Sequence, residues 1–314
     1  VGKPSPRNLQ AHQRISFMAV AWVFPGQGSQ KSGMADAVLT LPGASERFAR
    51  ASERLGRDLL AICSSSEAGE GLLNLHDTRN TQPALFVVES LLVDALQAQG
   101  RRPDLVAGHS LGELVALYAA GVFDADTGLA LMQCRSELMA AAGGGAMTAV
   151  IGFDPQQLQE LVAATEGVVV ANDNSEAQVV LSGSPEAVAA VSGALRCKRA
   201  IPLAVSGAFH SPFMAEASAR FAEELERVPF RQAMVPVLSN SDPTPERDPD
   251  VLKSRLKRQM TSGVRWRETM GRLEQESILT AVEIGPGNVL SGLIKRSCPG
   301  VQTAQVGSAA DLEL

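Results

Sequence analysis

Short apolar runs separated by stretches with an apolar residue every three or four positions dominate this chain, the pattern of strands alternating with helices. Residues 19–24 are an unbroken apolar run and predict the first strand. Helical spacing follows over 44–61 and 83–99, and a second apolar run covers 105–107. Beyond it, Leu111, Leu114, Val115 and Tyr118 share one helix face, and another helix spans 125–142. Gly143-Gly144-Gly145 then breaks the pattern and predicts a hinge. From 146 to 205 the spacing changes. Strands are predicted at 146–152, 168–171, 178–182 and 200–205. Asp154-Pro155 and Ser184-Pro185 cap and open helices over 155–165 and 185–195. The resulting order, β-α-β-β-α-β, is ferredoxin-like. Past 206–207 the earlier pattern returns. Ser211-Pro212 opens a helix with Phe213, Met214, Ala217, Phe221 and Leu225 facing inward. A strand at 235–239, a polar loop at 243–250 and a helix reaching Met260 follow. A strand at 280–284, a helix at 288–296 and a polar, loose tail complete the chain. The fold class is therefore α/β, with a mainly parallel sheet covered on both faces. The predicted division is a large domain over 18–143 and 207–306, a small ferredoxin-like domain inserted at 144–206, and a tail at 307–314.

Composition narrows this picture. At 314 residues, 45% hydrophobic and 20% charged, the chain suits a soluble globular protein of one large or two unequal domains. No apolar run approaches the roughly 18 residues of a membrane span. A net charge of -6 argues against nucleic acid as a partner. The four cysteines, Cys63, Cys134, Cys197 and Cys298, are scattered with no C-x-x-C, which points to a reducing cytoplasm and away from zinc or a disulfide framework. Residues 1–17 differ: Lys3, Arg7 and Arg14 are basic and the first acid is Asp36. They read as an extension, a tag or upstream sequence, with Met18 as the natural start. A trimmed plastid or other organelle transit segment is the alternative.

Gly108-His109-Ser110-Leu111-Gly112, between an apolar run and an amphipathic helix, has the context of a nucleophile elbow. The glycines permit a tight turn that lifts the Ser110 hydroxyl to the positive end of a helix. The bland alternative is a structural serine in a strand-to-helix turn. A serine nucleophile needs a base, and only four histidines exist. His12 is in the extension, His76 is in a polar stretch, and His109 adjoins Ser110, where its backbone position makes it a poor base. His210, before the Ser211-Pro212 helix start, remains. Alone it would read as a capping or packing residue. Arg135 lies on an apolar stripe, with Leu131 and Met132 one turn before it and Leu138 and Met139 one turn after. A buried cation is costly unless paired. Arg135 thus makes either an internal salt bridge or a fork for a substrate carboxylate. The loop Pro25-Gly26-Gln27-Gly28-Ser29-Gln30 is glycine-rich but lacks the Gly-Lys-Ser/Thr of a phosphate loop.

Four motifs occur in order: Phe24-Pro25-Gly26-Gln27-Gly28-Ser29-Gln30, Gly108-His109-Ser110-Leu111-Gly112-Glu113, Gly207-Ala208-Phe209-His210-Ser211-Pro212 and Glu283-Ile284-Gly285-Pro286-Gly287-Asn288. Through them the chain resembles the malonyl-CoA:acyl carrier protein transacylases of fatty-acid synthesis, from about Met18 to Val306. The resemblance implies an α/β-hydrolase-like large domain with a ferredoxin-like insert. It implies Ser110 as nucleophile and His210 as its base. Gln27 and the N–H of Leu111 stand for the oxyanion hole, and Arg135 for the malonyl carboxylate site. It also implies supporting roles for His109, Phe209 and Gln259, whose backbone carbonyl orients the histidine in place of a triad Asp. The implied reaction passes through a malonyl-serine ester to the phosphopantetheine thiol of holo-acyl carrier protein, with ping-pong kinetics, no metal and no cofactor beyond malonyl-CoA as substrate. Phe209 resembles the version of its motif that excludes a methyl branch.

Residues 251–267 hold Lys253, Arg255, Lys257, Arg258, Arg265 and Arg267 and no acid. They read as either a solvated helix face or a dock for an acidic carrier protein or the CoA phosphates. The competing functions are a serine thioesterase or hydrolase, a discrete acyltransferase of a polyketide synthase and, more distantly, a carrier-docking module without catalysis. A cytoplasmic monomer without membrane or nucleic-acid partners is expected, because the catalytic set is complete in one chain.

Overall fold

The computed structural model describes residues 19–64, 73–205 and 207–313. The extension at 1–17, with Met18 and His12, lies outside the described residues. In chain order the elements are β1 (Val20–Phe24), α1 (Ala44–Leu55), α2 (Leu59–Ser64), α3 (Thr78–Ala98), β2 (Leu105–Gly108), α4 (Gly112–Ala119) and α5 (Ala125–Ala141). There follow β3 (Ala146–Phe153), α6 (Pro155–Ala164), β4 (Val168–Ser175), β5 (Gln178–Gly183), α7 (Pro185–Ala194) and β6 (Cys197–Pro202). The return carries α8 (Ala215–Arg227), β7 (Val237–Leu238), α9 (Pro249–Arg258), α10 (Trp266–Gln275), β8 (Thr280–Ile284), α11 (Val289–Ser297) and β9 (Gln302–Val306).

The large domain carries a parallel sheet in the order β7-β2-β1-β8-β9. Its central strand β1 is apolar on both faces because helices cover both. Trp22 and Phe24 enter one core cluster, and Ala21 and Val23 the other. The inserted domain is an antiparallel sheet, β4-β5-β3-β6, the strand order and connectivity of a ferredoxin-like unit, with a core of its own around Val150, Val179, Leu181 and Val188. Asp154 and Ser184 cap α6 and α7 as the sequence predicts. Gly145, at the predicted hinge, is a close packing point: a Cβ there would lie 2.4 Å from Ala208, so the outgoing and returning crossings touch.

Several boundaries differ from expectation, each for a local reason. The helix predicted at 44–61 is two, because Gly56 at φ 65 ends α1 and α2 starts afresh. The helix predicted from 83 begins at Thr78, where Asp77 accepts from the Arg79 N–H. Pro83 therefore sits inside α3. It cannot donate to the Arg79 carbonyl, and Arg57 Nη2 supplies that hydrogen bond at 2.7 Å. The last strand of the small domain is displaced to Cys197–Pro202, and the strand predicted at 235–239 shortens to two residues. The helix predicted to begin at Ser211-Pro212 opens with a 3-10 turn, and Phe213 is 46% exposed, not inward. No element is predicted where α10 and β9 lie. The tail is not loose over 309–313: it forms a 3-10 turn that buries Leu312, held by the Ala309 N–H to the Ala37 carbonyl and by Gln99 to the Leu312 carbonyl.

Candidate active site

Ser110 sits at the tip of β2, on a turn too tight for an ordinary side chain on either flank. A Cβ on Gly108 would lie 1.9 Å from the Gly112 carbonyl, and one on Gly112 2.3 Å from the Phe24 carbonyl. Ser110 itself is held at φ 54, a left-handed conformation that costs free energy and persists only when neighbours enforce it. Asn240, just after β7, does so. Its Oδ1 accepts from the Ser110 N–H at 2.7 Å and its Nδ2 donates to the Gly108 carbonyl at 2.6 Å. Gly108→Ala is accordingly expected to destabilise the fold by about 3 kcal/mol or more through overpacking; an unchanged denaturation midpoint would contradict this geometry.

His210, the predicted base, also has positive φ, 56. Its Nε2 is 2.7 Å from Ser110 Oγ. Its Nδ1 faces two carbonyl oxygens, Gln259 at 3.0 Å and Ser262 at 3.2 Å. A carbonyl only accepts, so Nδ1 carries the proton and Nε2 is left to accept from the serine. Main-chain oxygens thus do the orienting that a carboxylate does in a triad. Burial first, then the positive charge of Arg135, pushes the imidazole down to about 3. A base must be neutral, so His210 remains competent well below its ordinary range. The kcat/KM of acyl transfer is expected to stay flat from about pH 5 to 7.5; an acid limb centred near 6.5 would contradict this. The stability sign follows. An imidazole depressed in the folded state contributes fully above the unfolded value of about 6.5, and that contribution is lost as the pH falls toward the folded value.

Arg135 is 1% exposed, projecting from α5 into the same cleft. Of the two readings its sequence position allows, the internal salt bridge is not formed among the described residues. Nη1 donates to Gln82 Oε1 at 2.6 Å, Nε and Nη2 to Gln259 Oε1 at 3.1 and 2.8 Å, and Nη2 to Ser110 Oγ at 3.2 Å. Each partner is neutral. Burial pushes the guanidinium down to about 10, with Glu113 acting the other way, so it stays charged at neutral pH. A desolvated cation held by neutral amides beside a nucleophile has its charge unspent, and an incoming carboxylate can take it.

Gln27 and Leu111 line the cleft with Ser110, and neither N–H is taken up by a hydrogen bond among the described residues. The Gln27 side chain is turned aside, accepting from Thr78 Oγ1 at 3.0 Å. Two free N–H groups near a nucleophile can hold an oxyanion. His109 does not act on its neighbour. Its Nε2 meets Asn174 Oδ1 on β4 at 2.8 Å, which ties the elbow to the small domain, and its ring packs on Trp266 of the large domain at 5.5 Å. Phe209, 6% exposed, walls the cleft with Met139, Met147, Leu203 and Val205. The cavity holds about 80 Å³. At roughly 30 Å³ per water, that suits a short acyl group.

Sequence reasoning missed Asn240, Gln82 and Asn174, and gave Glu113 no role beyond its place in a motif. The signal for Gln82 was present, as a polar residue on the buried face of an apolar helix; Asn240, in a polar loop after a short strand, offered none. In the basic stretch at 251–267 four of the six cations are paired with carboxylates, and Arg258 is exposed and donates to Ser254 Oγ at 3.1 Å. Arg255 pairs with Asp242 at 2.8 Å, Arg265 with Glu268 at 2.5 Å, Arg267 with Asp173 at 2.8 Å, and Lys257 with Glu226. Lys253 donates to the Val228 carbonyl at 2.8 Å over the Phe230 ring. Among the described residues no group of three or more His, Cys, Asp or Glu is placed to hold a metal.

A Ser–His pair at an elbow, with a small antiparallel domain over it, defines an acyl transferase, and the acyl transferase domain family matches residues 21–310. Over 295 residues the chain is 50% identical to malonyl CoA-acyl carrier protein transacylase of Synechocystis sp., covering 94% of this chain and 99% of that one. The crystal structure of the Synechocystis sp. PCC 6803 malonyl-CoA:ACP transacylase superposes with a TM-score of 0.90 over the same shares. The malonyl CoA-acyl carrier protein transacylase of Escherichia coli K12 is 40% identical over 287 residues, covering 88% of this chain and 92% of its own. A type II PKS acyl-carrier protein in complex with its malonyl-transacylase (PlMCAT:AntF) gives a transacylase chain at 37% identity and TM-score 0.85, covering 94% of this chain and 98% of that one. The chain belongs to the malonyl CoA-acyl carrier protein transacylase family.

Proposed function

We propose that the protein moves malonyl from malonyl-CoA to the phosphopantetheine thiol of holo-acyl carrier protein, supplying fatty-acid synthesis. The observation that carries this is Arg135, a buried cation hydrogen-bonded only to neutral groups and 3.2 Å from the Ser110 hydroxyl. A nucleophile beside a carboxylate receptor fits an acyl group that bears its own carboxylate. In the proposed path His210 Nε2 takes the Ser110 proton as Oγ attacks the thioester carbon. The N–H groups of Gln27 and Leu111 hold the oxyanion, each worth about 3 kcal/mol. The carbonyl re-forms, the C–S bond breaks, and CoA leaves with the proton from His210. The carrier thiol then attacks the malonyl-Ser110 ester, giving its proton to His210, which returns it to Ser110 Oγ. No step needs a metal or a further cofactor, because the imidazole and the N–H groups cover both the proton and the charge.

The proposed division follows the two crossings: residues 18–143 with 207–306 form the large domain, 144–206 the insert, 307–314 the tail, and 1–17 an extension. A cytoplasmic monomer is proposed, supported by bacterial relatives and by a catalytic set drawn from one chain. No helix among the described residues is long and apolar enough to cross a membrane.

Two-substrate kinetics test the reading. Varying malonyl-CoA at several fixed carrier concentrations is expected to give parallel double-reciprocal lines, because a covalent acyl-enzyme separates the substrates. Intersecting lines would require a ternary complex and overturn the path. A polyketide carrier is the second reading, favoured by the likeness to the PlMCAT chain; comparing kcat/KM on fatty-acid and polyketide carriers separates the two. Phe209 is proposed to exclude an α-methyl branch, so methylmalonyl-CoA should acylate Ser110 far more slowly than malonyl-CoA, and equal rates would refute that role.

A further inference from the structure

Glu113 closes a chain of buried contacts that the path above does not use. It lies on α4 with no exposure. Its Oε2 accepts from the Asn240 N–H at 3.0 Å and from Gln259 Nε2 at 2.8 Å. Gln259 Nε2 also donates to the Ser110 carbonyl at 2.8 Å, and Gln259 Oε1 accepts from Arg135. The amide can therefore stand only one way round. Flipped, it would set its NH₂ against the guanidinium and its oxygen against both Glu113 and the Ser110 carbonyl, three repulsive contacts in a dry site.

We propose that Glu113 is a positioning residue that sets acyl specificity: its Oε2 locks the Gln259 amide so that Oε1 holds Arg135 in the pose that receives a carboxylate. The inference rests on the malonyl-transfer reading. A direct Glu113–Arg135 bond would fill the guanidinium fork and spend its charge. An amide between them passes on the position and leaves the charge for substrate. Gln82 steadies Nη1 from the other side, and Glu113 touches neither the acyl group nor Ser110 Oγ. The Asn240 side chain serves the elbow alone, since it touches Ser110 and Gly108 but neither Gln259 nor Arg135.

The test is the rate of acyl-enzyme formation from malonyl-CoA and from acetyl-CoA, read by quenched intact-mass measurement, in the unaltered protein and four variants. Glu113→Gln keeps the acceptor oxygen and is expected to hold the malonyl-over-acetyl preference within about threefold. Glu113→Met and Glu113→Ala remove the acceptor. They are expected to lose about tenfold or more of the preference, with KM for malonyl-CoA rising more than kcat falls. Asn240→Ala is expected to slow both esters alike, which separates a damaged elbow from lost specificity. A Met or Ala variant that keeps the preference overturns the proposal, as does a Gln variant that loses it. If Met and Ala do not fold, the Gln variant decides alone. An unaltered protein that takes no malonyl removes the functional reading and this inference with it; one that takes malonyl while the variants disobey removes the inference only.

Discussion

Ser110→Ala is expected to eliminate the acyl-enzyme and to lower malonyl transfer by about 10³- to 10⁶-fold, the range seen when the nucleophile of a Ser–His pair is removed. The substitution removes only Oγ, the atom 2.7 Å from His210 Nε2. The clamp on the turn survives, because Asn240 holds the Ser110 main-chain N–H and the Gly108 carbonyl, not the hydroxyl. Alanine also has a small Cβ to carry at φ 54. The variant should therefore fold, and a transfer assay on it reports chemistry. A folded Ser110→Ala protein that still accumulates a stable acyl adduct would place the nucleophile elsewhere.

Arg135→Ala is expected to remove the preference for malonyl over acetyl. Truncating one partner of a buried charge pair costs about 2–5 kcal/mol, or roughly 30- to several-thousand-fold in selectivity. The change leaves Gln82 Oε1 and Gln259 Oε1 without their donor and enlarges the cleft beside Ser110. The carboxylated acyl group loses its counter-charge, while a neutral short acyl group loses nothing specific. Acetyl transfer should persist or rise as malonyl transfer collapses. The measurement is competition between the two CoA esters on one sample. An unchanged ratio would return Arg135 to a structural part and take away the observation on which the substrate assignment stands.

The architecture was legible where periodicity and capping agree. Asp154-Pro155 and Ser184-Pro185 mark two helix starts of the insert without ambiguity, and the apolar runs of β1 and β2 announce a buried parallel sheet. What failed was decided by single residues acting through space. Gly56 splits a continuous helical pattern through its left-handed conformation. Pro83 reads as a helix start, yet lies inside α3 because Arg57 satisfies the carbonyl that the proline abandons. Trp266–Gln275 carries a clear helical spacing, with Trp266, Thr269, Met270 and Leu273 buried on one face, so its omission is a misreading. Gln302–Val306 carries a weak pattern because it is an edge strand with only Val306 buried. Within the site, the elbow and Arg135 were legible because each breaks a rule of its surroundings, a serine in a strained turn and a charge on an apolar stripe, and His210 followed because the other three histidines were poor candidates for the base. Asn240 breaks no such rule along the chain, and Gln82, a polar residue on an apolar helix, breaks one that went unread; the folded contacts show what both hold. The charge run at 251–267 could not show its partners along the chain: the carboxylates lie at Glu226, Asp242, Glu268 and Asp173, all beyond the run itself.

The most direct test of the account is intact-mass measurement after mixing with malonyl-CoA, then with holo-acyl carrier protein. The account predicts one malonyl adduct, mapped to Ser110, that leaves the enzyme and appears on the carrier thiol. An adduct that passes only to water would make the protein a thioesterase, and no adduct on a folded sample would contradict the malonyl assignment itself.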